Sequence, residues 1–226
     1  MTAARPVLGV VGGTGALGSA LAVRWARSGY AVIIGSRIGD KSVAHARELA
    51  QREHVEFGAA ANTEAAQRAE IVVVTVPAAA QEATLAEIRA EVQGKIVVDT
   101  TVPLVPPKVM RVQLPAEGSA AVRTQRLLGD RVQVVSAFHN VAAHKLARPD
   151  VVDCDVLVFG DRREARDAVV ALAEAAGLRG LHAGALVNSA AAEALTSVLI
   201  WINKHYAVDG AGIRITGSLR ATPVDS

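Results

Sequence analysis

The hexapeptide Gly13, Thr14, Gly15, Ala16, Leu17, Gly18 follows directly on an apolar run of strand length, residues 7–11, and opens a stretch of helical apolar spacing that continues to about Ser28. A G-x-G-x-x-G pattern in that strand-to-helix context predicts the first turn of a dinucleotide-binding βαβ unit. Without side chains, Gly13 and Gly15 permit a tight turn and a close approach of backbone to a pyrophosphate, and Gly18 lets the helix pack on its strand. The helix N-terminus then faces the anion with free N–H groups and the positive end of its dipole, and the Thr14 hydroxyl adds a donor. On this reading Gly13, Thr14, Gly15, Ala16 and Leu17 line the nucleotide. The alternative is a turn that uses glycine for packing alone.

Apolar runs of strand length then alternate with helical patterns, the sign of a parallel sheet covered on both faces. Strands are expected at residues 31–35, 71–76, 96–98, 132–136 and 156–159, with a helix near 41–52. Four prolines between residues 101 and 115 exclude a helix or central strand there and predict an extended connection, fit to form one wall of a cleft. Beyond Gly160 a helix near 163–176, a short strand near 178–182 and a long helix at 185–206 complete the chain. The expected fold is α/β: a doubly wound parallel Rossmann sheet with a small C-terminal α/β unit ending in a long helix. The expected division is 1–150 for the nucleotide domain and 151–226 for a smaller unit contributing to a second-substrate cleft and a dimer contact. The closing residues 220–226 read as a frayed end.

The first strand end after the glycine turn selects the nucleotide. An NAD-specific domain carries an acid there to hold the ribose 2′-hydroxyl, whereas this chain has Ser36 and Arg37, a neutral donor and a planar cation suited to a phosphate. Lys41, four residues further on, either closes the same pocket or is a solvated charge. The pattern asks for NADP(H).

Composition narrows the remaining classes. A formal net charge of +2 with scattered Arg residues is not the footprint of a nucleic-acid binder. The single cysteine, Cys154, excludes an internal disulfide, and the opening residues lack a secretory pattern, which together fit a reducing cytoplasm. The longest apolar stretch, residues 183–202, has the length of a membrane span but includes Asn188, Ser189, Glu193 and Thr196, and is expected to be a buried helix rather than a membrane segment.

Seven ordered blocks carry a resemblance: "GGTGALG", "GSR" followed by Lys41, "VVTVP", "KIVVDTTVPL", "VVSAFHNVAAHKL", "DVLVFGD" and "HAGALVNSAAAEALTSVLI". In that order they resemble the NADPH-dependent reductases of the deazaflavin coenzyme F420, the F420:NADP oxidoreductases. The resemblance implies a homodimer and a cleft where the deazaflavin stacks on nicotinamide, with hydride passing between the two rings. It also implies that Thr14, Ser36, Arg37 and Lys41 make the turn and 2′-phosphate contacts and that Val76 and Pro77 border the nicotinamide. His139, Asn140, Asn188 and Ser189 then border the second cofactor, with His139 as the candidate catalytic residue.

Hydride transfer between two held rings needs positioning more than a protein nucleophile, which agrees with the lack of a nucleophile-elbow or H-E-x-x-H motif. His139 and His144, five apart, lack the helical i, i+4 relation, so no metal is expected. Several residues keep two readings: His139 is a hydrogen-bonding group for the deazaflavin or a packing histidine, and Asn188 and Ser189 contact ligand or cap the last helix. Asp99 anchors a loop or caps a helix. Ala190 stands where archaeal members carry a basic residue, which leaves open an ordinary flavin or other small acceptor on the same fold. A non-catalytic NADP(H) sensor is the reading from another functional class.

Overall fold

The structure, a computed structural model, describes residues 5–220. All but the first residue of the segment expected to fray lies outside them. Elements follow in the order β1 (Leu8–Val11), α1 (Ala16–Arg27), β2 (Val32–Ser36), α2 (Gly39–Glu53), β3 (Gly58–Ala61), α3 (Asn62–Arg68), β4 (Ile71–Val74), α4 (Ala78–Ile88) and β5 (Ile96–Asp99). After the proline-rich connection come α5 (Ala120–Leu128), β6 (Gln133–Ser136), α6 (Ala143–Leu146), β7 (Asp155–Val158), α7 (Arg163–Ala175), β8 (Arg179–His182), a single 3-10 turn (Leu186–Asn188) and α8 (Ser189–Tyr206).

Six strands form one parallel sheet in the order β3-β2-β1-β4-β5-β6. Strands β1 and β4 are buried along their whole length, as expected where helices cover both faces and the strand residues are Val, Ile and Leu. β7 and β8 pair in parallel as a second sheet. Reciprocal backbone bonds between Ser136 and Phe159, 2.8 and 3.0 Å, join it to the edge of β6.

The two sheets share one core, because residues of β1, β2 and α1 belong to the same buried cluster as Val156, Val158, Val169 and Leu172. Helix α1 provides the joint. Trp25 is wholly buried and donates from Nε1 to the Leu172 carbonyl at 2.8 Å, and its ring meets Phe138 edge-on at 5.9 Å between centroids. Arg24 donates to the carbonyls of Leu146, Ala176, Arg148 and Asp150, and Ser28 to that of Ala175.

The last long helix differs from expectation in burial. Val198, Trp201 and Tyr206 are 44%, 46% and 67% exposed, so α8 is buried on one face only. β3, α3, α4, α5 and α6 add to the elements the sequence announced, and residues 100–118 form the expected irregular connection without helix or strand.

Candidate functional site

The strand register sets the site. Val11 pairs with Val74, Val74 with Asp99 and Asp99 with Ser136, so four strands end at one level. The chain leaves β1 for β2 and β3 and returns to β4 on the other side, which places the reversal of strand order, and the crevice that accompanies it, between β1 and β4.

The glycine turn fills that crevice's base, and its glycines have separable reasons. Gly12, outside the G-x-G-x-x-G pattern, adopts φ +73°, and a Cβ on it would lie 2.6 Å from Val76 Cγ1. A Cβ on Gly13 would meet the Val10 carbonyl at 2.7 Å, and one on Gly18 would meet Thr75 Oγ1 at 2.6 Å. Protein packing therefore requires glycine at these three positions. Gly15 is different: its φ of −78° suits any residue, and a Cβ there would find no atom closer than 3.5 Å. The space that Gly15 leaves open lies at the start of α1, which has no side-chain cap and no acid in its first turn. Uncapped N–H groups facing open space fit a pyrophosphate.

At the end of β2, Ser36 is buried and its Oγ accepts from the Ile38 N–H at 3.2 Å. Arg37 and Lys41 are exposed and take no part in any ion pair among the described residues. Sequence reasoning missed Asn62, which starts α3 and is 1% exposed. Its Oδ1 accepts from the Gly12 N–H at 3.2 Å, and its Nδ2 is buried without a partner among the described residues. Asn62 thus pins the glycine turn from fifty residues away, a link that only the register of β2 and β3 creates. On the far side of the turn, Val76 touches Gly12, and Pro77 occupies the N-cap position of α4.

Three strands from the turn, about 14 Å at ordinary strand spacing, β6 ends in a second group. Phe138 takes a left-handed φ of 67°, uncommon for a residue with a side chain, and so reverses the chain just before His139. His139 is 7% exposed; Nε2 lies 3.2 Å from Ser136 Oγ, and Nδ1 has no partner among the described residues. Burial lowers its pKa to about 4, so the ring is neutral at pH 7. Asn140 donates from Nδ2 to the Ala192 carbonyl at 2.9 Å and to Thr196 Oγ1 at 3.1 Å, and Thr196 in turn donates to the His139 carbonyl. The structure therefore gathers His139 and Asn140 against α8.

Of the other two residues singled out on that helix, Asn188 is exposed at the N-cap position but makes no side-chain capping bond. Ser189 is fully buried and donates to Ser119 Oγ at 2.8 Å.

Beneath this group lies a buried polar cluster. Asp99 accepts from Gln81 Nε2 at 2.7 Å, Thr124 Oγ1 at 2.5 Å and the Thr101 N–H at 2.8 Å. Burial raises its pKa, opposed by those hydrogen bonds. It anchors the start of the 100–118 connection and holds α4 and α5 to β5, the loop-anchoring role rather than a helix cap. Glu193, 1% exposed on α8, accepts from the Ala120 and Ala121 N–H groups at 2.7 and 3.1 Å. Burial pushes it up to about 7 against the pull of those amides. Among the described residues no group of three or more His, Cys, Asp or Glu is placed to hold a metal.

Comparison with known proteins gives the chain a family. Residues 7–103 match the family described as NADP oxidoreductase, coenzyme F420-dependent. The F420-dependent NADP reductase of Methanothermobacter marburgensis is 40% identical over 220 residues, covering 92% of this chain and 97% of the relative. The protein of the same name from Methanocaldococcus jannaschii is 36% identical over 219 residues, covering 92% and 97%. Among solved structures, one from Arthrobacter sp. FB24, described as a candidate F420-dependent NADP reductase, superposes with a TM-score of 0.78 at 26% identity, covering 93% of this chain and 99% of that one.

Proposed function

The chain belongs to the family of coenzyme F420-dependent NADP oxidoreductases, and from that membership we propose that it exchanges a hydride between NADP(H) and coenzyme F420. It is an NADP-dependent oxidoreductase whose cofactor pair is NADP and the deazaflavin. The observation that carries the nucleotide half is Gly15, a glycine that neither backbone conformation nor packing requires, standing open before the uncapped end of α1.

The bound pair supplies the chemistry itself, a hydride passing between nicotinamide C4 and deazaflavin C5. What the protein contributes is position and electrostatics. Gly13, Thr14, Gly15, Ala16 and Leu17 hold the pyrophosphate at the positive end of α1. Ser36, Arg37 and Lys41 hold the 2′-phosphate, a role supported by two unpaired cations beside a hydroxyl and by the lack of an acid at the end of β2. Val76 and Pro77 form the wall for the nicotinamide. His139, Asn140 and Asn188 border the deazaflavin, whereas Ser189, singled out beside them, is buried on Ser119 and supports the start of α8 instead. Because burial keeps His139 neutral, its part is a hydrogen bond through Nδ1 and not a positive charge.

Residues 1–150 form the nucleotide half in this reading, and 151–226 close the second-substrate cleft and carry the contact between two copies. The apolar side of α8 supports a homodimer through Val198 and Trp201, with Tyr206 at its end. That helix, with the preceding turn, is long and apolar enough to cross a membrane. Three buried polar residues fastened to the fold, Ser189, Glu193 and Ser197, favour a protein contact and a cytoplasmic molecule instead.

The test is anaerobic mixing of the purified protein with NADPH and F420, with FMN and riboflavin in parallel. Loss of the deazaflavin's visible absorbance is expected. NADPH oxidation with a flavin and none with F420 would leave the nucleotide site standing and overturn the second substrate.

A further inference from the structure

Helix α8 reaches the floor of the cleft through a short series of contacts, and one of them is a buried acid. Ser189 ties the start of α8 to Ser119. One turn later, Glu193 accepts from two successive backbone N–H groups at the start of α5. On either side of Glu193, the Ala192 carbonyl and Thr196 hold Asn140 and, through its carbonyl, His139. A carboxylate at a helix N-terminus meets the positive end of the helix dipole, and its two oxygens match two donors. Glu193 is the charged member of this series, standing between the Ser189 tie and the His139–Asn140 turn.

We propose that Glu193 is a positioning residue for the deazaflavin: its carboxylate on the Ala120 and Ala121 amides fixes the distance and angle of α8 to α5, and so sets His139, Asn140 and Asn188 around the ring. This rests on the reading of the His139–Asn140 turn and the start of α8 as the deazaflavin cleft. The charged groups that act on Glu193 from its neighbours are Asp99 of β5, which favours its protonation, and Arg123 of α5, which opposes it. Arg123 itself is held by donating to Gln81 Oε1, and Gln81 Nε2 reaches Asp99, so the acid sits on a connected network rather than beside a loose cation. When protonated, Glu193 loses one of its two acceptor sites, because the oxygen carrying the proton faces an N–H that it no longer accepts from.

The test is steady-state kinetics of the full chain with NADPH and F420, together with NADPH binding alone read by quenching of its fluorescence. Replacing Glu193→Gln keeps the size and one acceptor but sets an NH2 against the second amide. KM for F420 is expected to rise about tenfold, while the NADPH dissociation constant stays within about twofold. A folded Glu193→Gln enzyme whose KM for F420 is unmoved overturns the proposal, and so does an equal loss of NADPH affinity. Should the variant fail to fold, the wild-type pH profile decides. KM for F420 must rise as pH falls through about 7 with NADPH affinity level, and a flat profile overturns the assignment. Absence of any F420 turnover in the wild type sinks the proposed function and this inference with it, whereas turnover with an unmoved KM sinks the inference alone.

Discussion

Arg37 directly follows β2, exposed and in no ion pair among the described residues, poised for an anion that the protein itself does not provide. Replacing Arg37→Ala should weaken NADPH roughly ten- to a hundredfold, the range for losing a bidentate charge-assisted contact, and leave NADH nearly untouched. Fluorescence titration with both nucleotides checks it, and equal losses would sink the phosphate clamp. The glycines separate in the same way. Gly18→Ala forces a Cβ to within 2.6 Å of Thr75 Oγ1 and should cost about 1–3 kcal/mol of stability. Gly15→Ala finds open space and should change stability by no more than about 1 kcal/mol, yet reduce NADPH affinity by about tenfold. Urea unfolding beside nucleotide titration distinguishes the two. At this scale the sequence disclosed what depends on neighbours in the chain: the glycine spacing and the Ser36–Arg37 pair. It did not disclose Gly12, whose need for glycine comes from Val76 across the crevice, or Asn62, whose partner is fifty residues away.

Among elements, the join of α5 to α8 through Glu193 has a thermodynamic signature of its own. The folded-state pKa stands at about 7 against an ordinary 4.5, so the folded protein binds this proton more tightly than the unfolded chain. The stability it contributes is complete below 4.5 and is lost as pH climbs to about 7. Relative to Glu193→Gln, the wild type should lose up to about 3 kcal/mol across that window. Denaturant unfolding at a series of pH values measures it, and a constant difference between the two proteins would mean that Glu193 does not titrate there. Low pH thus favours the fold while loosening the cleft, two effects of opposite sign from one carboxyl.

The same elements show where sequence patterns lose their contrast. β3 is Gly-Ala-Ala-Ala, with none of the branched residues that mark a strand, and is made one by pairing with β2. α4 is rich in alanine, so its buried and exposed faces differ little in the kind of residue they carry. β1, β2 and β4 were legible because dense Val, Ile and Leu runs have few other fates than a buried parallel strand.

For the whole molecule, Trp201 is the sharpest test of assembly. It is 46% exposed and stacks on His205 on the free side of α8. On the proposed homodimer, Trp201→Glu should leave the fold intact and raise the dissociation constant of the pair by about thirtyfold or more, in keeping with loss of an aromatic anchor. Light scattering over a dilution series reads the result, and an unchanged mass at every concentration would move the contact elsewhere. The length of the chain and its run of β and α patterns announced one connected body with a C-terminal appendage. What they did not announce is how closely that appendage is built in. Helix α1 starts at the glycine turn and, with Trp25, Arg24 and Ser28, grips residues of the second sheet's side at its other end. One helix tied to both sheets in this way opposes a hinge between them. In the proposed cleft, the spacing of two bound rings would then belong to the folded frame rather than to a closing motion.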